Sequence, residues 1–172
     1  MIIWLASYPK SGNTLLRSIL ASYFFTKDGV LNFNHIYKIG QFPSLKHFET
    51  LDIDTSDTDQ IYSNIIKAQE LINNNSKQLK FFKTHSALAK INDNNFTNMN
   101  NTLGAIYIVR DPRNVVSSFA HHYQIDNDEA TNCLVNEKFW NYKNEKVPKT
   151  FLSSWNQNYN SWKKLKDKTL LI

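Results

Sequence analysis

With 172 residues, of which 41% are hydrophobic, the chain can bury one hydrophobic core and is too short for two ordinary domains, so a single domain over 1–172 is expected. No run approaches the roughly 18 consecutive apolar residues of a membrane span, because Lys10, Arg17, Lys27 and Lys38 punctuate the most apolar stretch. A net charge of +5 admits an anionic partner, but the C-terminal lysines sit among acidic and amide neighbours without interleaved aromatics, which argues against nucleic acid.

The opening run Met1 to Ala6 has no basic residue before it and is cut by Tyr8, Pro9 and Lys10, unlike a signal peptide. The single cysteine, Cys133, excludes an internal disulfide and suits a reducing, cytoplasmic compartment.

Ile2 to Ala6 is a nearly unbroken apolar run, the pattern of a parallel strand covered on both faces. Leu15, Leu16, Ile19, Leu20, Tyr23 and Phe24 then recur at helical spacing, with Asn13 in the position of an N-cap. A second helix is predicted from near Asp57, carrying Ile61, Ile65, Ile66 and Ile72 inward and ending in the run Asn73 to Asn75. Lys80 to Thr84 reads as the next strand, followed by a long Asn-rich connection through Asn101. Ala105 to Val109 is a third strand, ended by Asp111 and Pro112, with a helix from near Asn114 to Tyr123. Phe151, Trp155, Tyr159, Trp162 and Leu165 mark an amphipathic helix, and Thr169 to Ile172 a fourth strand. This alternation implies an α/β fold with a parallel sheet and a ligand site at the carboxyl ends of its strands.

The residues that carry chemistry sit at those ends. Tyr8-Pro9-Lys10-Ser11-Gly12-Asn13-Thr14 joins the first strand to the first helix. Gly12 lets the backbone approach a ligand closely, and the amides of Gly12, Asn13 and Thr14 belong to a helix N-terminus, where anions bind. Lys10 and the hydroxyls of Ser11 and Thr14 add charge and directional donors. A plain polar helix-capping turn would use similar residues. The lysine precedes the only glycine of the loop, so this is not a Walker A sequence, and a kinase or ATPase reading loses its support.

YPKSGNT resembles the 5'-phosphosulfate loop of the sulfotransferases that use 3'-phosphoadenosine 5'-phosphosulfate (PAPS), whose usual form is YPKSGTTW. Two further segments follow in the order of that family. Tyr107 to Ser118 (YIVRDPRNVVSS) supplies an arginine, Arg110, and a serine eight positions later, Ser118, matching the pair that binds the 3'-phosphate. Between the two loops, Phe82-Lys83-Thr84-His85 resembles the segment that carries the family's catalytic histidine.

The resemblance spans Ile2 to Ile172 and implies a central parallel sheet flanked by helices, a P-loop-like, nucleotide-kinase-like three-layer sandwich. It implies transfer of a sulfuryl group from PAPS to a hydroxyl or amine, with a small-molecule, glycan or lipid acceptor. Lys10, Ser11, Gly12, Asn13, Thr14, Arg110 and Ser118 would bind the cofactor, His85 would be the general base, and Lys10 and Lys83 would meet the leaving-group and sulfuryl oxygens. No metal is called for, and the Asp52, Asp54, Asp57, Asp59 series reads as a solvated loop and helix start. Leu15 stands where many members place a tryptophan on the adenine. Family members also continue beyond the strand at Thr169 to Ile172 with a glycine- and basic-rich loop, so the chain reads as an N-terminal part of a longer domain. The alternative is a noncatalytic remnant that keeps an anion site.

His35, His47, His121 and His122 receive no chemistry. The acceptor pocket is expected among 32–48, 86–101 and 123–147, whose aromatics Phe33, Tyr37, Phe42, Phe96, Phe139, Trp140 and Tyr142 serve equally well as core.

Overall fold

The computed structural model describes residues 1–75, 78–141 and 144–172. Strand β1 (Ile2–Ser7) and helix α1 (Asn13–Phe25) lead into the one-turn α2 (Phe33–Ile36) and the short β2 (Gly40–Gln41). Helices α3 (Thr58–Ser63) and α4 (Ile65–Asn74) precede β3 (Lys80–Thr84), a small hairpin of β4 (Lys90–Ile91) and β5 (Asn94–Asn95), and β6 (Thr102–Ile108). Helices α5 (Pro112–Tyr123) and α6 (Asn127–Val135), the pair β7 (Trp140–Asn141) and β8 (Thr150–Phe151), α7 (Trp155–Lys163) and β9 (Thr169–Leu171) complete the chain.

The main sheet is parallel, in the order β2-β3-β1-β6-β9. Its central strand explains the apolar opening run. Side chains alternate across a strand, and β1 sends Ile2, Trp4 and Ala6 to one face and Ile3 and Leu5 to the other. The first face packs against α4 and α7 through Ile65, Ala68 and Trp162, the second against α1 through Leu16, Leu20 and Ala21. Helices thus cover both faces of the sheet. A third cluster joins Tyr8 to Val115, Phe119, Ala130 and Leu134 of α5 and α6.

Trp4 anchors the larger core, with the rings of Phe42, Phe82, Phe96 and Trp162 all within 6.4 Å of its centroid. Its indole N–H donates to Thr102 Oγ1 at 2.9 Å, and that of Trp162 to the Ser86 carbonyl at 3.0 Å, so neither buried ring leaves a donor unpaired. Truncating either to Ala would cost ~3–5 kcal/mol. Gly104 on β6 is required by close approach: a Cβ there would lie 2.8 Å from the Lys168 carbonyl oxygen.

Five local expectations change. The helix from near Asp57 is two helices, because the Asn64 side chain donates to the Gln60 carbonyl at 2.9 Å and its backbone leaves helical geometry. Asn13 is the first residue of α1, and Gly12 occupies the cap. Phe151 belongs to β8, since Ser154 caps α7 by accepting from Gln157 N. The third strand begins at Thr102, and Pro112, not Asn114, opens α5, capped by Asp111.

Candidate active site

Strands β3, β1 and β6 are neighbours, so the segments leaving their carboxyl ends emerge side by side. The register sets Ala6 beside Thr84 and Ser7 beside Ile108, which places His85 and Arg110 on either side of the turn after β1. The Arg110 guanidinium donates from Nη1 to the Lys10 carbonyl oxygen at 3.0 Å and ties the turns after β1 and β6 together.

Lys10 takes a left-handed backbone at φ 67° and Gly12 another at φ 102°. A lysine in that region is strained, and such strain collects at ligand clamps. No side chain caps the first turn of α1, so its N–H groups remain available as donors for an anion.

These loops face one cleft of about 520 Å³. Lys10, Gly12, Asn13, Thr14, Lys83, His85, Arg110 and Ser118 all line it, although three separate chain segments supply them. Ser11 does not: it is buried under the turn, and its Oγ has no hydrogen-bond partner among the described residues. The Asn13 amide is turned toward the strand, where Nδ2 donates to the Leu5 carbonyl at 2.8 Å and to Ser7 Oγ at 3.1 Å.

That bond continues to His85. Its Nδ1 lies 2.8 Å from the Ser7 carbonyl oxygen and 3.2 Å from Ser7 Oγ. A carbonyl can only accept, so Nδ1 carries the proton and Nε2 is the basic nitrogen of the ring. Burial, and then the charge of Lys83, hold the imidazole well below its usual range, at about 3, and keep it neutral near neutral pH. The His85 main chain is fixed as well, because Asn158 Nδ2 donates to its carbonyl at 3.0 Å.

Lys83 stands beside Gln41 in the sheet register, and its Nζ donates to Gln41 Oε1 at 3.2 Å. Burial first, then the charges of Arg17 and Lys10, lower its ammonium to about 8. Arg17, half-buried, donates to the carbonyls of Ile36 and Ile39 at 3.0 and 2.7 Å.

Gln41, Tyr123, Asn141, Asn144 and Val147 also line the cleft; they fall within 32–48 and 123–147, two of the segments expected to frame an acceptor pocket, without having been singled out there, and His122, given no chemistry, lines it too. His122 follows Ser118 by four residues on α5, the spacing of neighbours on one helix face, so that signal was present. The two-residue strands and turns that hold the others have no periodicity to detect. Of the aromatics weighed for an acceptor pocket, Phe42 and Phe96 are core, Phe139 and Trp140 pack against it, Phe33 and Tyr37 are exposed, and Tyr142 lies outside the described residues. His47 is a packing residue, stacked on Phe42 at 5.2 Å.

A parallel sheet with a lysine-bearing and an arginine-bearing turn at adjacent strand ends defines an α/β protein with a cation-lined cleft at its strand ends. The sulfotransferase domain matches residues 2–172, and the chain belongs to that family. Among solved structures, it is similar to retinol dehydratase in complex with androsterone and inactive cofactor PAP, with a TM-score of 0.56 at 20% identity. It is also similar to retinol dehydratase in a complex with retinol and PAP, with a TM-score of 0.51 at 18% identity. Each likeness covers 99% of this chain and 53% of the other, so the chain spans about half the length of those proteins. A search of curated proteins gives no match. Among the described residues, no helix is long and apolar enough to cross a membrane, and no three His, Cys, Asp or Glu residues group as a metal site.

Proposed function

We propose that the cleft binds PAPS and transfers its sulfuryl group to an acceptor hydroxyl or amine. The observation that carries this reading is the juxtaposition of the Arg110 to Lys10 bond with a histidine whose tautomer leaves Nε2 basic. The residues present fit such a group: uncapped helix amides and Lys10 suit the 5'-phosphosulfate, and the Arg110 fork with Ser118 suits the 3'-phosphate. When bound, PAPS supplies the sulfuryl group and departs as PAP.

The chain's own residues supply position and charge. His85 takes the acceptor proton at Nε2 as the acceptor oxygen or nitrogen bonds to sulfur and the old S–O bond breaks. Lys10 and Lys83 balance negative charge spread over the sulfuryl and leaving-group oxygens, as cations do in phosphoryl transfer. The ring of His85 starts in a cationic setting, and the arrival of the cofactor's anions raises its basicity at the moment a base is needed.

Two measurements test this. PAP should raise the melting temperature, since a ligand that prefers the native state stabilises it. Label should then pass from ³⁵S-PAPS to acceptor in the unaltered chain and be lost in Lys10→Ala and His85→Ala. Binding of PAP without transfer to any acceptor would instead favour a noncatalytic anion-binding domain, and absence of PAP binding would overturn both.

A further inference from the structure

Beyond the cationic end, the cleft is walled by Gln41, His122, Tyr123, Asn141, Asn144 and Val147. Three elements converge there. Gln41 ends β2; the turn bearing Asn144 and Val147 is tied to the next segment by Ser44 Oγ and Leu45 N, which both donate to the Lys146 carbonyl, at 3.0 and 2.9 Å; and Asn141 meets the end of α5 through Tyr123.

All three carboxamides of this wall have their oxygens engaged by protein donors. Gln41 Oε1 accepts from Lys83 Nζ, Asn141 Oδ1 from the Tyr123 hydroxyl at 3.4 Å, and Asn144 Oδ1 from the Lys146 and Val147 amides, each at 2.9 Å. Those bonds fix the orientation of each amide. Among the described residues the three NH₂ groups have no partner, so the wall presents neutral donors. The His122 and Tyr123 rings meet edge to face at 4.8 Å and add an aromatic rim.

We infer that this wall selects a neutral, polyhydroxylated acceptor, namely a saccharide hydroxyl. The inference rests on the sulfuryl-transfer reading of the same cleft. Hydroxyl and ring oxygens accept from neutral amide donors, and the C–H face of a sugar ring suits an aromatic rim. An apolar acceptor would cover amide donors without bonding them, which costs affinity. A protonated amine would meet Lys10, Lys83 and Arg110 with no carboxylate among the described lining residues to receive it.

Saturation-transfer NMR on the full chain, saturated with PAP, tests the choice with a panel of mono- and oligosaccharides, 2-naphthol, a steroid alcohol and phenylethylamine. Ring-proton signals are expected from at least one saccharide, with affinity weakened roughly three- to tenfold in Asn141→Leu, the loss of one hydrogen bond. A PAP-induced melting shift in that variant verifies that it is folded. No saccharide signal, or equal saccharide affinity in the variant, overturns the inference whatever the other compounds do. Failure of PAP to shift the unaltered chain would overturn the cofactor reading instead, and saccharide signals without PAP would still decide the chemistry of the wall.

Discussion

Arg110 donates to the carbonyl oxygen of Lys10 across 100 residues of sequence, and this 3.0 Å bond makes two strand-end turns into one cradle. Arg110 holds the left-handed Lys10 backbone, and on the proposed reading its remaining donors would go to a phosphate. Arg110→Lys keeps the charge but loses the fork. PAP affinity is expected to fall about 10- to 100-fold, the equivalent of one charge-assisted bond at ~1.5–3 kcal/mol. Calorimetric titration of PAP checks this, and an unchanged Kd would refute the dual role.

His85 and Ser7 separate base chemistry from its support. His85→Ala should lower kcat by about 10²- to 10⁴-fold, the usual contribution of a general base, with PAP binding retained. Ser7→Ala removes only the hydroxyl, while the Ser7 carbonyl still fixes the tautomer through Nδ1. Its expected effect is small, roughly two- to fivefold in kcat, because only the hydroxyl's neutral contacts with His85 and Asn13 are lost while the shorter carbonyl bond stays. Equal losses in the two variants would mean that the hydroxyl, not the carbonyl, orients the ring.

The elements that position the cradle were legible because each is dictated by a local pattern. β1 is buried on both faces and shows a continuous apolar run, and α5 is punctuated by Asp111 and Pro112 at its start. Eight of the nine site residues named from sequence line the cleft for the same reason, since each adjoins such an element. The far wall of the cleft was legible only as the segments 32–48 and 123–147, not residue by residue. Gln41 lies in a two-residue strand whose place is set by pairing with β3, and the turn bearing Asn144 is held through its Lys146 carbonyl by Ser44 and Leu45, about a hundred residues away. Helix α6 was missed because its apolar residues are few: only Ala130 and Leu134 are buried.

The pH response follows from Lys83 and His85. Burial, then Arg17 and Lys10, hold Lys83 at about 8, so its charge is lost as pH rises through that value. PAP affinity should fall above pH 8, by at most tenfold per unit for one linked proton, and Lys83→Arg should abolish the fall. His85 behaves in the opposite sense for stability. Its folded value of about 3 lies below the unfolded ~6.5, so the unfolded chain binds more protons between them and stability drops as pH falls through that window. Melting temperatures at pH 7 and 5 should differ less in His85→Gln than in the unaltered chain. An alkaline fall in affinity that persists in Lys83→Arg would assign it to another group.

Asn158 couples the core to the base. It is fully buried on α7; its Nδ2 donates to the carbonyls of His85 and Leu152 at 3.0 and 2.8 Å, and its Oδ1 accepts from the Tyr107 hydroxyl at 2.9 Å. Asn158→Leu would leave a hydroxyl donor and two carbonyls without these partners. Each unsatisfied buried group costs about 1–3 kcal/mol, and partial relaxation should bring the total loss to ~2–4 kcal/mol. The freed His85 main chain would also let Nε2 drift, lowering kcat at temperatures where the variant remains folded. Urea unfolding gives the first quantity and single-turnover transfer the second. A destabilised variant with unaltered kcat would show that the Ser7 contact alone positions the ring, and that the α7 bond serves only the fold.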